Sequence, residues 1–219
     1  MLKGLLFDMD GTLVDNLAYH FKAFDEYAKR EGFTLVEPVT LKINGMHSND
    51  IFPMILGEKV VAEYGLDRLN REKEEVYRDM YRPHIKPIAG LIELLREAKK
   101  AGVKCAIGSS GCRDNVEMII EELGIADLID GSISGSDVTH GKPHPEIFIK
   151  AYEALGLKAE ECVVVEDAVN GIMAGVAAGC KCIAITTTAT AEVLSEAGAS
   201  LCFEDYTTVT IDKITNILN

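Results

Sequence analysis

Residues 5–12 read Leu-Leu-Phe-Asp-Met-Asp-Gly-Thr, an apolar run that ends on two carboxylates, Asp8 and Asp10, spaced two apart. If the run continues as a strand, alternation sends both aspartates to the same side. Carboxylates that close raise each other's pKa unless a cation or hydrogen bonds hold them. A polar turn at Asp10-Gly11 accounts for one aspartate only, so the other asks for a metal or a proton-transfer role. Three more groups share this placement after or between apolar runs. Ser109-Ser110-Gly111 offers hydroxyls and backbone donors ahead of a helical pattern, which suits an anion. Lys142 lies in Gly-Lys-Pro-His-Pro, where two prolines exclude a regular strand and stiffen the loop. Glu166-Asp167 is a second acidic pair.

Taken singly, each group has a plainer reading: Ser-Ser-Gly as a turn, Glu-Asp as a helix cap, the lysine as a solvated side chain. Residues 135–142 read G-x5-G-K, one residue off the P-loop spacing, with Pro143 where Ser or Thr would hold magnesium. A nucleotide P-loop is therefore excluded. Taken together, oxygen-only carboxylate ligands beside hydroxyl and lysine donors suit Mg²⁺, a hard cation that shares its shell with phosphate oxygens.

The elements that must position these groups are β-like runs at 2–7, 103–108, 131–134, 162–165, 181–185 and 199–203. Helical patterns separate the later ones, for example Val116, Ile119, Ile120 and Leu123 closed by Gly124, then 145–156 and 171–179. Strand alternating with helix predicts an α/β fold with a Rossmann-like parallel sheet and right-handed crossovers. Ligands of such a sheet bind beyond the carboxyl ends of its strands, where the four groups fall. Residues 16–87 break the rhythm, with helical spacing at Leu17, Phe21, Phe24 and Ala28 and no clear strand. That interval has 11 Lys+Arg and 12 Asp+Glu, against 11 and 23 in the remainder. The expected organisation is an acidic α/β core, 1–15 and 88–219, interrupted by a nearly neutral helical cap, 16–87, folded back over the aspartates.

Composition narrows the function. The 219 residues are 47% hydrophobic and 26% charged, as in a globular protein, and the formal net charge is -13. That charge argues against nucleic-acid or anionic-membrane partners, which need a basic footprint. It still permits an anionic substrate, because a buried cation and a few lysines reverse the potential inside a cleft. Cys105, Cys112, Cys162, Cys180, Cys182 and Cys202 contain no C-x-x-C pair, and most sit in apolar runs, so buried thiols are expected. The run after Lys3 is too short for a signal peptide, so the expected compartment is the cytoplasm; the expected state is a monomer.

Asp8-Met9-Asp10-Gly11-Thr12, Ser109, Lys142-Pro143, and Glu166-Asp167 followed by Asn170-Gly-Ile-Met-Ala-Gly-Val-Ala-Ala-Gly resemble, in order, the four motifs of the haloacid dehalogenase superfamily. The helical insert resembles that of the β-phosphoglucomutase-like branch of phosphatases and mutases. The resemblance implies phosphoryl transfer. Asp8 is then the nucleophile and Asp10 the acid/base. Ser109, Ser110 and Lys142 hold the phosphoryl oxygens. Mg²⁺ is held by Asp8, the Asp10 carbonyl and Asp167, with Glu166 at or next to the metal. Dehalogenation is disfavoured, since that branch lacks the second aspartate.

Within the branch, His20 resembles the cap histidine with which mutases sense a bound acceptor, although a histidine bonded to backbone fits equally. The cap loop that holds a far phosphate in mutases carries basic residues; here it reads Asn44-Gly45-Met46-His47-Ser48-Asn49, without fixed positive charge. Arg113 follows Ser-Ser-Gly and either meets substrate phosphate or starts a helix. The expected function is a phosphatase of a small phosphorylated metabolite, a sugar or polyol phosphate. The alternatives are a β-phosphoglucomutase-type mutase and a catalytically idle Mg²⁺-dependent binding protein.

Overall fold

The computed structural model describes residues 1–39 and 48–218. The chain folds as two compact units, residues 1–15 with 85–219, and residues 16–84.

The larger unit is built on six parallel strands: β1 (Gly4–Phe7), β2 (Lys104–Gly108), β3 (Gly131–Ile133), β4 (Cys162–Glu166), β5 (Lys181–Ile185) and β6 (Ala199–Phe203), in the order β3-β2-β1-β4-β5-β6. Every residue of β1 and β4 is buried, as a parallel sheet covered on both faces requires. The first strand begins at Gly4 rather than at the expected Leu2, which is buried without pairing into the sheet. One bond carries the ladder past Phe7: the Asp8 amide donates to the Val165 carbonyl at 2.9 Å.

The crossovers between strands run through α5 (Leu91–Lys100), α6 (Arg113–Leu123), α7 (Glu146–Ala154), α8 (Val169–Ala177) and α9 (Ala191–Ala197), with α10 (Ile211–Asn216) after β6. Phe148, Ile147 and Ala151 of α7 and Ile172 and Ala174 of α8 pack with Leu6, Val164 and Ala184 of the sheet in one buried cluster. Successive strands step from β1 through β2 to β3 on one side, and the chain then crosses to place β4 on the other flank of β1. The strand order therefore reverses between β1 and β4, and a crevice opens beyond their carboxyl ends. The acidic pairs occupy that position because each directly ends or follows one of these two strands.

The described elements of the second unit are helices: α1 (Leu17–Glu31), α2 (Ser48–Leu56), α3 (Glu58–Tyr64) and α4 (Leu66–Tyr81), closed by a 3₁₀ turn at Arg82–His84. Its core is aromatic. Phe24 meets Phe52 edge-on at 5.4 Å, and Tyr77 and Tyr81 are almost wholly buried. The unit ends three residues before the expected boundary at 87. The Ile88 amide bonds the Leu13 carbonyl at 3.0 Å, which ties the returning segment to the first loop of the α/β unit.

That first loop has a remote support. Tyr206, buried after β6, donates its hydroxyl to the Thr12 carbonyl at 2.9 Å. Replacing Tyr206 with Phe removes the donor while keeping the ring. The expected loss is about 1–2 kcal/mol of unfolding free energy, read as a lower urea midpoint with unchanged slope.

Candidate active site

Asp8 follows β1, and Glu166 closes β4 one strand away with Asp167 next to it. All three side chains are buried, and one oxygen from each lies within 4.8 Å of the others. Lys142 enters between them: its Nζ donates to Asp8 Oδ1 at 2.5 Å and to Glu166 Oε1 at 2.8 Å, and its side chain is 7% exposed. The other Glu166 oxygen accepts the amides of Asp167 and Ala168, both at 2.8 Å. Asp167 is gripped by hydroxyls: Thr12 Oγ1 at 3.3 Å, and Thr188 Oγ1 closer still. Thr187 Oγ1 donates to the Gly11 carbonyl at 2.5 Å.

Two glycines make the approach feasible. Gly11 has φ +83°, and a Cβ there would overlap the Asp167 carboxylate. A Cβ on Gly171, in the first turn of α8, would overlap the Glu166 carboxylate. Each marks a place where backbone must pass directly against an acid.

The electrostatics follow from this crowding. Burial, opposed by Lys142 but reinforced by Glu166 and Asp10, raises Asp8 to about 8. Burial, with Glu166 and Asp8 beside it, holds Asp167 well above the carboxylate range, against the hydroxyl bond from Thr188. Burial works against the charge on Lys142, yet Asp8 and Glu166 outweigh it and raise its pKa. One ammonium among three carboxylates leaves the centre short of positive charge. An oxygen-only donor set with that deficit fits a hard divalent cation such as Mg²⁺.

The remaining expected residues divide into near and distant groups. Asp10 is half-buried, and its Oδ2 lies 3.6 Å from where a Cβ on Gly111 would stand, so it adjoins the loop after β2. Ser109 is fully buried in that loop, its Oγ accepting the Gly111 amide at 3.0 Å, whereas Ser110 is exposed. Arg113 is not brought to the cluster. It opens α6 with its guanidinium on Ser132 Oγ at 2.8 Å and paired to Asp137. His20 belongs to the helical unit, stacked on Tyr77 with ring centroids 3.8 Å apart. Asn44, Gly45 and His47 lie outside the described residues, and Asn49 falls in the first turn of α2.

Several interactions, each within its own unit, escaped the sequence reading. Thr187 and Thr188 sit in a Thr-rich stretch directly after β5, the strand-end rule that found the acids, and only their neutral chemistry hid them. Lys73, 3% exposed in α4, reaches His20 Nδ1 at 3.1 Å and Glu74 at 2.8 Å. Glu146, in the first turn of α7, anchors the Lys142 loop by accepting the amides of Thr139 at 3.1 Å and His140 at 3.0 Å. None of the six thiols forms a disulfide, and four of them are buried as expected. Burial pushes Cys105, Cys162, Cys180 and Cys182 up to about 12, which makes them inert.

An aspartate after β1, a buried lysine and an acidic pair where β4 ends thus stand together at the crevice. The model of the haloacid dehalogenase-like hydrolases matches residues 5–185, and the chain belongs to that family. Its branch is the β-phosphoglucomutase-like one, and its class is that of phosphoric monoester hydrolases. Hexitol phosphatase A of Escherichia coli is 33% identical over 95% of this chain and 94% of its own length. Validoxylamine A 7'-phosphate phosphatase of Streptomyces hygroscopicus is 32% identical over 92% and 93%. Among solved structures, a family IA, variant 3 hydrolase from Entamoeba histolytica superposes with a TM-score of 0.88 at 29% identity, covering 99% of both chains. Among the described residues no helix is long and apolar enough to cross a membrane.

The Gly171 contact is testable. Gly171→Ala should displace Glu166, and with it Lys142. The expected result is a loss of roughly 1–3 kcal/mol in thermal or urea unfolding, together with a fall in phosphatase turnover.

Proposed function

We propose that the chain hydrolyses a small phosphorylated metabolite, a sugar or polyol phosphate, through an aspartyl-phosphate on Asp8 with Mg²⁺ as cofactor. The observation that carries this reading is Lys142 Nζ 2.5 Å from Asp8 Oδ1. A buried cation against the nucleophile is placed to meet the charge that develops on transferring phosphoryl oxygens. Relatives named for hexitol and for validoxylamine 7'-phosphate phosphatase activity support the substrate class.

Asp8, Asp167 and the Asp10 carbonyl would hold Mg²⁺, with Glu166 in support. When bound, the cation supplies positive charge between the nucleophilic carboxylate and the phosphate. In the first half-reaction a carboxylate oxygen of Asp8 bonds to phosphorus and the ester P–O bond breaks. Asp10 gives its proton to the departing alkoxide. In the second, Asp10 takes a proton from water, whose oxygen attacks phosphorus. Inorganic phosphate leaves and the Asp8 carboxylate is restored. Ser109 and Ser110 donate to the phosphoryl oxygens, and Lys142 remains beside Asp8 throughout. The protein is proposed to act as a monomer in the cytoplasm, with no nucleic-acid or membrane partner.

A sugar phosphomutase is the second reading, and one observation favours it: Lys73, bonded to His20, gives the helical unit a buried cation. Phosphatase relatives stand against an idle binding protein. The deciding experiment follows β-glucose 1-phosphate, with Mg²⁺ and a trace of glucose 1,6-bisphosphate, by ³¹P NMR, beside a panel of hexose and polyol phosphates. Inorganic phosphate as main product supports the phosphatase; glucose 6-phosphate without free phosphate establishes the mutase.

Asp8→Asn should lower turnover on the order of 10³-fold or more with the fold intact by circular dichroism. Turnover retained in that variant overturns the covalent mechanism. Mg²⁺ affinity should also depend on pH. Asp8 titrates near 8 without the cation, so below that pH binding must expel its proton. Calorimetry should show affinity rising with pH between 6 and 8, by up to about tenfold per pH unit for each proton that Asp8 and Asp167 must give up. A flat profile would mean that Asp8 is already ionised.

A further inference from the structure

The loop that delivers Lys142 carries a second set of metal-ligand side chains. His140 and His144 stand two residues to either side of the lysine, and Glu146 follows at the start of α7. One ligand atom from each of the three lies within 4.8 Å of the others. His140 Nδ1 is 3.1 Å from Glu146 Oε2, and the two imidazole rings stand 4.5 Å apart, inclined by 33°. Both histidines are exposed, and Glu146 is half-buried.

We propose that His140, His144 and Glu146 form a site for a divalent transition-metal ion of the zinc class, separate from the oxygen-only centre at Asp8. The donor set makes the distinction. Imidazole nitrogens favour zinc, copper and nickel, whereas carboxylates alone favour magnesium. The geometry is nearly in place. Two ligands each about 2.0–2.2 Å from a tetrahedral ion stand roughly 3.3–3.6 Å apart, and the His140–Glu146 separation of 3.1 Å is already close to that. An ion there takes the place of the hydrogen shared by Nδ1 and Oε2. His144 closes the set by a side-chain rotation that its exposure permits.

Glu146 is prepared for the role. The Thr139 and His140 amides and Lys150 Nζ at 2.8 Å fix its carboxylate. Three protein ligands leave a fourth position to water. An ion so held ties both arms of the Lys142 loop to α7.

The test is a Zn²⁺ titration of the full chain by isothermal calorimetry, in excess Mg²⁺ so that the Asp8 centre is filled, repeated with Co²⁺ as a spectroscopic probe. One saturable Zn²⁺ equivalent is expected, weakened roughly tenfold or more in His140→Ala and in His144→Ala. The Co²⁺ spectrum should show nitrogen and oxygen ligands only. Both replacements are at exposed side chains, and thermal unfolding without Zn²⁺ checks that the fold is kept. Unchanged affinity in the double variant, a thiolate-to-cobalt band pointing to Cys112 or Cys202, or no saturable binding each overturns the proposal.

Discussion

The centre depends on a deficit of positive charge. Asp8, Glu166 and Asp167 are buried together, and Lys142 is the cation that reaches two of them, at 2.5 and 2.8 Å. Like charges in a low dielectric repel strongly, so the surroundings must hold the carboxylates by other means. Hydroxyls of Thr12 and Thr188 grip Asp167, and two amides hold Glu166. Gly11 and Gly171 clear the space that lets backbone come so near. Each of these contacts makes sense only as support for acids that the fold places together and a cation completes.

The sheet supplies the placement. Because β1 lies between β2 and β4, the residue after Phe7 faces the crevice where strand order reverses, and Val165 receives its amide. An edge strand would leave Asp8 solvated, with an ordinary carboxylate pKa. The same logic explains the rigidity of the Lys142 loop. It lies between β3 and α7, pinned by Glu146 to two of its own amides and by Asp137 to Ser134 and Arg113.

How much of this was legible in the sequence follows from contact range. Asp8, Ser109, Glu166 and Asp167 were readable because each is a polar residue at or near the end of an apolar strand, and Lys142 because two prolines mark its loop. Thr188, Tyr206 and Lys73 were not. Their partners lie 21, 194 and 53 residues away, and nothing local distinguishes them from ordinary hydroxyls or a surface lysine. Arg113 was ambiguous for a related reason. Its position beside the phosphate-type loop was visible, but the Asp137 that occupies it was not.

The central position of β1 also sets the timing of folding. Gly4–Phe7 pairs with Lys104–Ile107 on one side and Cys162–Val165 on the other, so its second partner is made 158 residues after it. At roughly 5–20 residues per second, synthesis leaves that apolar segment without its full set of partners for about 8–30 s. Residues 16–84, whose contacts are internal to one compact unit, can reach their native packing during that interval. Asp8 is thus made well before β4, the strand that completes its surroundings. A ribosome-bound chain that stops short of β4 has neither a finished sheet nor the assembled acidic cluster.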